Sequence, residues 1–502
     1  MDKEKLEEKA VRATKWSFAT QVVSKLIKPV TTLVLAHILS PEAFGIVATA
    51  TMVTSLADTF SDAGFQKYLI QHDFKERDDL YLYAGVAFWT NMAVSLSLWL
   101  LIALLANQIA NAVGCPGHSL MLIVAGISLP LTAFISVQTG LYQRALDFRI
   151  LFSANVAAAI ANMVISVPLA LLGADYWSMV VGTIASNSLL AAWLTVKSEW
   201  KPGLDYSLDA LKKMFSFSAW TLLESLSSWL ASWAGTFILG MTLNSYYLGL
   251  YKTSTSLVSS IVAVVSSAVI PVVFSTLSRF QSDREAFNAF VYKMQYWLAL
   301  FLVPLASCIF VFRDSLVYVL LGENWLETAL FVGLYGAASS IVIVYGYVAS
   351  EAYRALGQPR LCLLVQISYI LMLVPTLYFS SLAGYECMSV VYPLIRALGF
   401  TAIHLIVCRT FLGLSALKML TNLKYIFLAT FIEAVLFYYL VGLVDNYYLQ
   451  LLLTIPAVML YLLFVWLFPE THGVFVELLD KLGLSGLFAK LKRGFTGRKV
   501  YR

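Results

Sequence analysis

The chain has 502 residues, of which 60% are hydrophobic and 13% charged, with a formal net charge of +5 and a mean hydropathy of +0.78. Soluble domains run at about 45–50% apolar and about 25% charged, so a soluble enzyme or a nucleic-acid-binding domain is excluded. The expected class is an all-α polytopic membrane protein, because only helices and closed barrels satisfy their backbone inside lipid.

The first fifteen residues, MDKEKLEEKAVRATK, are charged and helix-prone and read as a cytoplasmic N-terminal helix (1–15) without a signal-peptide core. Apolar segments long enough to cross a bilayer follow at 16–39, 43–65, 80–106, 119–141, 151–172 and 176–196. A polar stretch, KSEWKPGLDYSLDALKK (197–213), separates them from 214–242, 246–277, 287–312, 328–350, 361–382 and 387–408, with two more at 423–443 and 447–468. The prediction is fourteen transmembrane helices. The tail 469–502 carries seven Lys and Arg residues at helical spacing among apolar ones, the pattern of an interfacial helix on anionic lipid. Five scattered cysteines form no CxxC pair, so neither a zinc site nor a disulfide framework is expected. The motifs GxxxxGK[ST], HExxH and GxSxG do not occur.

Basic residues give an independent test of the span count. With the N-terminus inside, one set of loops holds Lys67, Lys75, Arg77, Arg144, Arg149, Lys197, Lys201, Lys212 and Lys213. The same side later holds Arg279, Arg284, Lys293, Arg354, Arg360, Arg409, Lys418 and Lys424, whereas the opposite loops hold only Arg313. This bias places both termini in the cytoplasm and accounts for the net charge without nucleic acid.

Two echoes indicate an internal repeat. Leu39-Ser-Pro-Glu-Ala-Phe-Gly45 matches Leu243-Asn-Ser-Tyr-Tyr-Leu-Gly249 at an offset of 204, and Arg144-Ala145-Leu146 matches Arg354-Ala355-Leu356 at 210. They predict two parallel six-helix lobes, 16–196 and 214–409, joined by the linker 197–213, around a central cavity. Residues 410–468, with spans 13 and 14, lie outside the repeat.

The helices that open each lobe carry polar stripes at helical spacing. These are Gln21, Lys25, Lys28 and Thr32; Thr51, Ser55, Asp58 and Asp62; Thr221, Glu224, Ser228 and Ser232; and Lys252, Thr255 or Ser256, and Ser259. A charge at a helix centre costs about 2.5–3.5 kcal/mol on insertion scales, so these faces are expected to line water rather than lipid. Pro29 fits a helix relieved by polar neighbours. The alternative is that Lys25 or Lys28 pairs with Asp58 or Asp62 as packing glue. Lys25, Lys28, Lys252 and Arg396 are the deep cations, and lysine binds phosphate as a point charge. Ser228, Trp229 and Tyr251, among nearby aromatics, offer hydroxyls and flat faces suited to sugars, although Trp and Tyr also form interfacial belts.

The chain resembles the Wzx-type polysaccharide exporters, flippases of the multidrug/oligosaccharidyl-lipid/polysaccharide exporter superfamily, and most of all the branch that includes the colanic acid exporter. The matching residues are Lys15-Trp16-Ser17, Leu35-Ala36-His37-Ile38-Leu39 with Phe44-Gly45, and Leu56-Ala57-Asp58-Thr59-Phe60-Ser61-Asp62-Ala63-Gly64. Further on they are Arg144-Ala145-Leu146 with Phe148, Lys201-Pro202-Gly203-Leu204 with Ser207-Leu208, and Leu321-Gly322-Glu323-Asn324-Trp325. Past Arg360 the similarity is in hydropathy alone.

The resemblance implies alternating-access movement of undecaprenyl-diphosphate-linked oligosaccharide across the bacterial inner membrane. It implies no cofactor, coupling to a proton or sodium gradient, and contact with membrane lipids and with polysaccharide polymerase or chain-length machinery. In that reading Lys25, Lys28, Lys252 and Arg396 hold the diphosphate or an acidic sugar, with Gln21, Ser228, Trp229 and Tyr251 beside them. Asp58, Asp62, Glu224 and Glu351 are the candidates for the coupling ion. Two other readings stay open: a drug or organic-cation antiporter on the same architecture, and a polysaccharide polymerase or glycosyltransferase, for which the short outer loop around Arg313–Glu327 is unsuited.

Overall fold

A computed structural model describes residues 27–62, 64–74, 76–277 and 283–468, together with Trp16, Phe280, Thr471 and Gly473. The N-terminal helix, Gln21, Lys25 and the basic tail from 474 lie outside the described residues, as do the side chains of Asp62 and Glu224. Every described element is helical. Among the described residues eleven helices are long and apolar enough to cross a membrane, which makes the chain a multi-pass membrane protein.

Two compact units emerge. The first comprises residues 1–260, 320–328 and 374–388, and the second 261–319, 329–373 and 389–502. In the first, α1 (Ile27–Ala36) and α2 (Pro41–Asp62) precede α3 (Phe65–Gln71), α4 (Arg77–Leu104), α5 (Ala106–Ala112), α6 (Ser119–Ala125) and α7 (Ser128–Arg144). Next come α8 (Phe148–Leu171) and α9 (Tyr176–Lys197), an extensively packed helical hairpin, then α10 (Leu208–Thr242) and the start of α11 (Ser245–Leu277). Asp147 caps α8 by accepting from the Ile150 amide.

Ser207 accepts from the Ala210 amide, and this cap starts α10 inside the predicted linker rather than at 214. The 35-residue α10 is about 52 Å long at 1.5 Å per residue, more than the hydrocarbon core requires.

The second unit is built on α12 (Arg284–Val311), buried along most of its length among α14 (Ala329–Val342), a π-helical turn (Ile343–Tyr347), α15 (Val348–Ala355), α19 (Lys424–Val441) and α21 (Thr454–Leu467). Helix α13 (Arg313–Leu321) follows α12, and the 3₁₀ turn (Glu323–Thr328) that precedes α14 in the chain belongs to the first unit. The remaining helices are α18 (Ala416–Thr421) and α20 (Tyr447–Leu452), with α16 (Pro359–Leu382) up to residue 373 and α17 (Tyr385–Phe411) from residue 389. Asp283, Ser415 and Asn446 cap α12, α18 and α20 through side-chain oxygens.

The Arg-Ala-Leu echo has a local structural cause. After α7 the Asp147 amide donates to Tyr142 O and Leu146 adopts φ 56°. After α15 the Gln358 amide donates to Tyr353 O and Gly357 adopts φ 68°. Both are Schellman turns that close a helix through a left-handed residue.

Candidate functional site

Helices α2, α10 and α11 bring several of the predicted polar residues together within the first unit. Trp229 on α10 donates its indole N–H to Ser55 Oγ on α2 at 3.0 Å. One turn further along α10, Trp233 presents its ring face to Lys252 of α11, with the ammonium 3.7 Å from the ring centroid. Lys252 is half-buried and makes no ion pair within 4 Å among the described residues. Tyr251 beside it is buried against Gly235 of α10, where a side chain would strike the phenol oxygen. Ser228 is exposed on α10, with its carbonyl accepting from Ser232 Oγ.

Lys28, in the first turn of α1, is exposed and also lacks an ion pair among the described residues. Asp58 accepts a hydrogen bond from Thr132 Oγ1 of α7 at 2.8 Å, which ties the second span to the fourth. Sequence spacing gave no sign of Thr132.

The second unit holds Arg396 on α17. Its guanidinium donates to Tyr335 Oη at 2.9 Å and Tyr392 Oη at 3.3 Å and lies over the Tyr335 ring at 4.7 Å. Tyr335, Tyr392 and Phe331 stack on one another. Arg396 Nε is buried with no hydrogen-bond partner among the described residues. No carboxylate contacts this guanidinium among the described residues.

Glu351 is buried and paired with Arg354 one turn along α15, at 2.5 Å. Its charge is therefore already balanced at the helix end.

One buried acid escaped the sequence reading. Glu433 is fully buried in the middle of α19, in a span set aside because it lies outside the repeat. The signal was present: a single acid in the apolar run FLATFIEAVLFYY, which the cost of intramembrane charge marks as a site to explain. Among the described residues no group of three or more His, Cys, Asp or Glu could hold a metal ion.

Two cations, Lys252 on α11 and Arg396 on α17, are thus held by aromatic faces and phenol hydroxyls and meet no carboxylate among the described residues. Such contacts steady a cation at about 0.5–2 kcal/mol and leave its charge free to meet an anion. Each is suited to a phosphate or a carboxylate, and unsuited to a cationic ligand.

Comparison with known proteins agrees with this chemistry. Residues 34–330 match the family described as polysaccharide biosynthesis protein. The succinoglycan biosynthesis transport protein ExoT of Rhizobium meliloti is 26% identical over 332 residues, 65% of either chain. The lipopolysaccharide biosynthesis protein WzxC of Escherichia coli is 24% identical over 331 residues, 64% of this chain and 65% of its own. The matched chain thus spans just under two thirds of each relative. Among solved structures, the lipid II flippase MurJ in an inward closed conformation superposes with a TM-score of 0.69 at 14% identity, over 94% of this chain and all of that one. At that identity the likeness is one of fold.

Proposed function

The chain belongs to the polysaccharide biosynthesis protein family, and we propose that it is a flippase for an oligosaccharide linked through a diphosphate to a long-chain lipid carrier. The observation that carries this reading is a pair of buried or half-buried cations that meet no carboxylate among the described residues, Lys252 over Trp233 and Arg396 among Tyr335 and Tyr392. A lipid-linked diphosphate is anionic and sugar-bearing, and crosses a bilayer only if its headgroup is solvated on the way. Lysine and arginine supply the counter-charge. The Ser228, Ser232 and Ser256 hydroxyls, all exposed in the first unit, supply hydrogen bonds to sugar, and the prenyl tail stays in lipid. No bond is made or broken. An organic-cation antiporter would place carboxylates where this chain has Lys252 and Arg396.

The rest of the reading belongs to the same proposal. The eleven apolar helices, the helix starting at Ile27, and α10 and α11 support fourteen spans in two six-helix lobes. The loop bias of Lys and Arg supports cytoplasmic termini in a bacterial inner membrane. Lys25 and Lys28 are the further candidates for the diphosphate, and Asp58 for the coupling ion. Polymerase and chain-length machinery are the partners that would receive the product.

The test is depletion of the protein in its own cell, followed by location of the lipid-linked repeat unit. Accumulation on the cytoplasmic leaflet is the expected outcome; undiminished surface glycan would overturn the reading.

A further inference from the structure

Glu433 sits halfway along the 18-residue α19, with no exposed surface. One carboxyl oxygen, Oε2, accepts from Ser307 Oγ of α12 at 2.7 Å. The other, Oε1, is buried with no hydrogen-bond partner among the described residues. Thr430 lies one turn earlier on the same face of α19, and its hydroxyl is also buried with no partner among the described residues. The helices packed on α19 are α12 and α21.

Their titratable groups near the carboxyl are Cys308 on α12 and Tyr461 on α21, with Tyr296 of α12 next to Tyr461. None of these is a cation. Helix α21 contains no charged residue. The charged residues of α12 are Arg284, Glu285 and Lys293, and Lys293 is still about 21 Å along the helix from Ser307. No lysine, arginine or histidine pairs with Glu433 among the described residues.

An acid in this setting serves in one of two ways. It is either a static hydrogen-bonding strut between α12 and α19, or a seat for a proton. A strut satisfies all its polar atoms, as the buried Gln450 does: its Oε1 accepts from Ser315 Oγ and its Nε2 donates to the Val441 and Val444 carbonyls. Glu433 leaves one oxygen open, and one turn earlier on the same helix the Thr430 hydroxyl is open too. With a proton on Oε1 the group becomes a donor as well as an acceptor. Without the proton, a full charge would sit in the low-dielectric middle of a bundle with one hydroxyl for company, at a cost of several kcal/mol.

We propose that Glu433 is a proton-binding site of this transporter, loaded through Oε1 and linked to the packing of α12 against α19. Binding a proton there favours the closed packing of α12 on α19. Release demands water or a cation at the carboxyl, and so favours separation of the two helices. The site lies on a span outside the internal repeat and uses none of the cations assigned to the anionic cargo. The linkage of this proton to transport rests on the flippase reading; the proton site itself does not.

Two measurements separate these claims. The first is difference infrared spectroscopy of the purified full-length protein in nanodiscs, following the protonated-carboxyl band between about pH 5 and pH 9. The wild type shows a band that titrates in this window and is absent from Glu433→Gln. Ser307→Ala keeps the carboxyl but loses the hydroxyl that favours its charged form, so its midpoint rises by about one pH unit. Should Glu433→Gln not fold, Ser307→Ala carries the test by itself. A band that never titrates, or one governed by sodium and not by pH, overturns the site.

The second measurement is movement of lipid-linked oligosaccharide in proteoliposomes under an imposed pH gradient. The wild-type rate follows the gradient and the Glu433→Gln rate does not. Equal dependence in both proteins overturns the linkage. A wild type that moves no lipid-linked oligosaccharide under any gradient refutes the flippase reading and leaves the infrared result standing.

Discussion

Lys252 spends its charge on the face of Trp233, 3.7 Å away, and an anion entering between them gains a stronger partner than the ring. Hydrogen bonds to charged groups contribute about 1.5–3 kcal/mol, so Lys252→Ala is expected to weaken apparent affinity for the lipid-linked substrate by about 10–100-fold. The checking measurement is a concentration series in proteoliposomes, with Lys252→Arg retaining most of the affinity. Arg396→Lys should fare worse than that swap, because an ammonium lacks the planar guanidinium that lies over the Tyr335 ring. The same assay distinguishes them.

The depth of Lys252 and Arg396 could be read from hydropathy alone. Their partners could not. Trp233 stands on another helix, and the tyrosines around Arg396 come from α14 and α17. Glu433 was equally visible as a letter, but its lone hydroxyl partner depends on how α12 and α19 pack.

At the scale of helices, the echo between residues 39–45 and 243–249 turns out to be a contact with itself. A Cβ on Gly45 would lie 1.8 Å from Ser245 O, and one on Gly249 would lie 1.7 Å from Pro41 O. The first turns of α2 and α11 therefore cross backbone to backbone, each supplying a glycine to the other's opening carbonyl. Neither oxygen can swing aside as a flexible side chain would. Gly45→Ala and Gly249→Ala are each expected to cost about 1–3 kcal/mol, read as a lower melting temperature in detergent. The double variant should cost less than the two together, since one displacement relieves both clashes. Strict additivity would show that the two glycines act at separate places. The sequence announced that these positions correspond, and not that they touch. Helix ends were less legible than helices: α10 begins at Leu208 because Ser207 caps it, a local bond that outweighed the polarity of the predicted linker.

For the molecule as a whole, the distribution of basic residues makes a prediction that needs no substrate. With fourteen spans and cytoplasmic termini, Asn107 and Asn446 face outward and Asp205 and Leu417 inward; all four are exposed. Single cysteines at Asn107 and Asn446, in a background without the native five, should react with a membrane-impermeant maleimide in intact cells. Those at Asp205 and Leu417 should react only after permeabilisation. One span more or fewer would invert part of that pattern.

Another feature of the first unit turns the same chemistry into a clock. Cys115 is wholly enclosed, with its thiol on Thr49 Oγ1 at 3.2 Å and Ser245 Oγ at 3.4 Å, just beneath the crossing of α2 and α11. No reagent reaches that sulfur while those helix starts stay together. Its alkylation half-life in a variant stripped of the other four cysteines would therefore time how often the seal parts, and cargo that hastens or slows the cycle would be heard as a change in that tick.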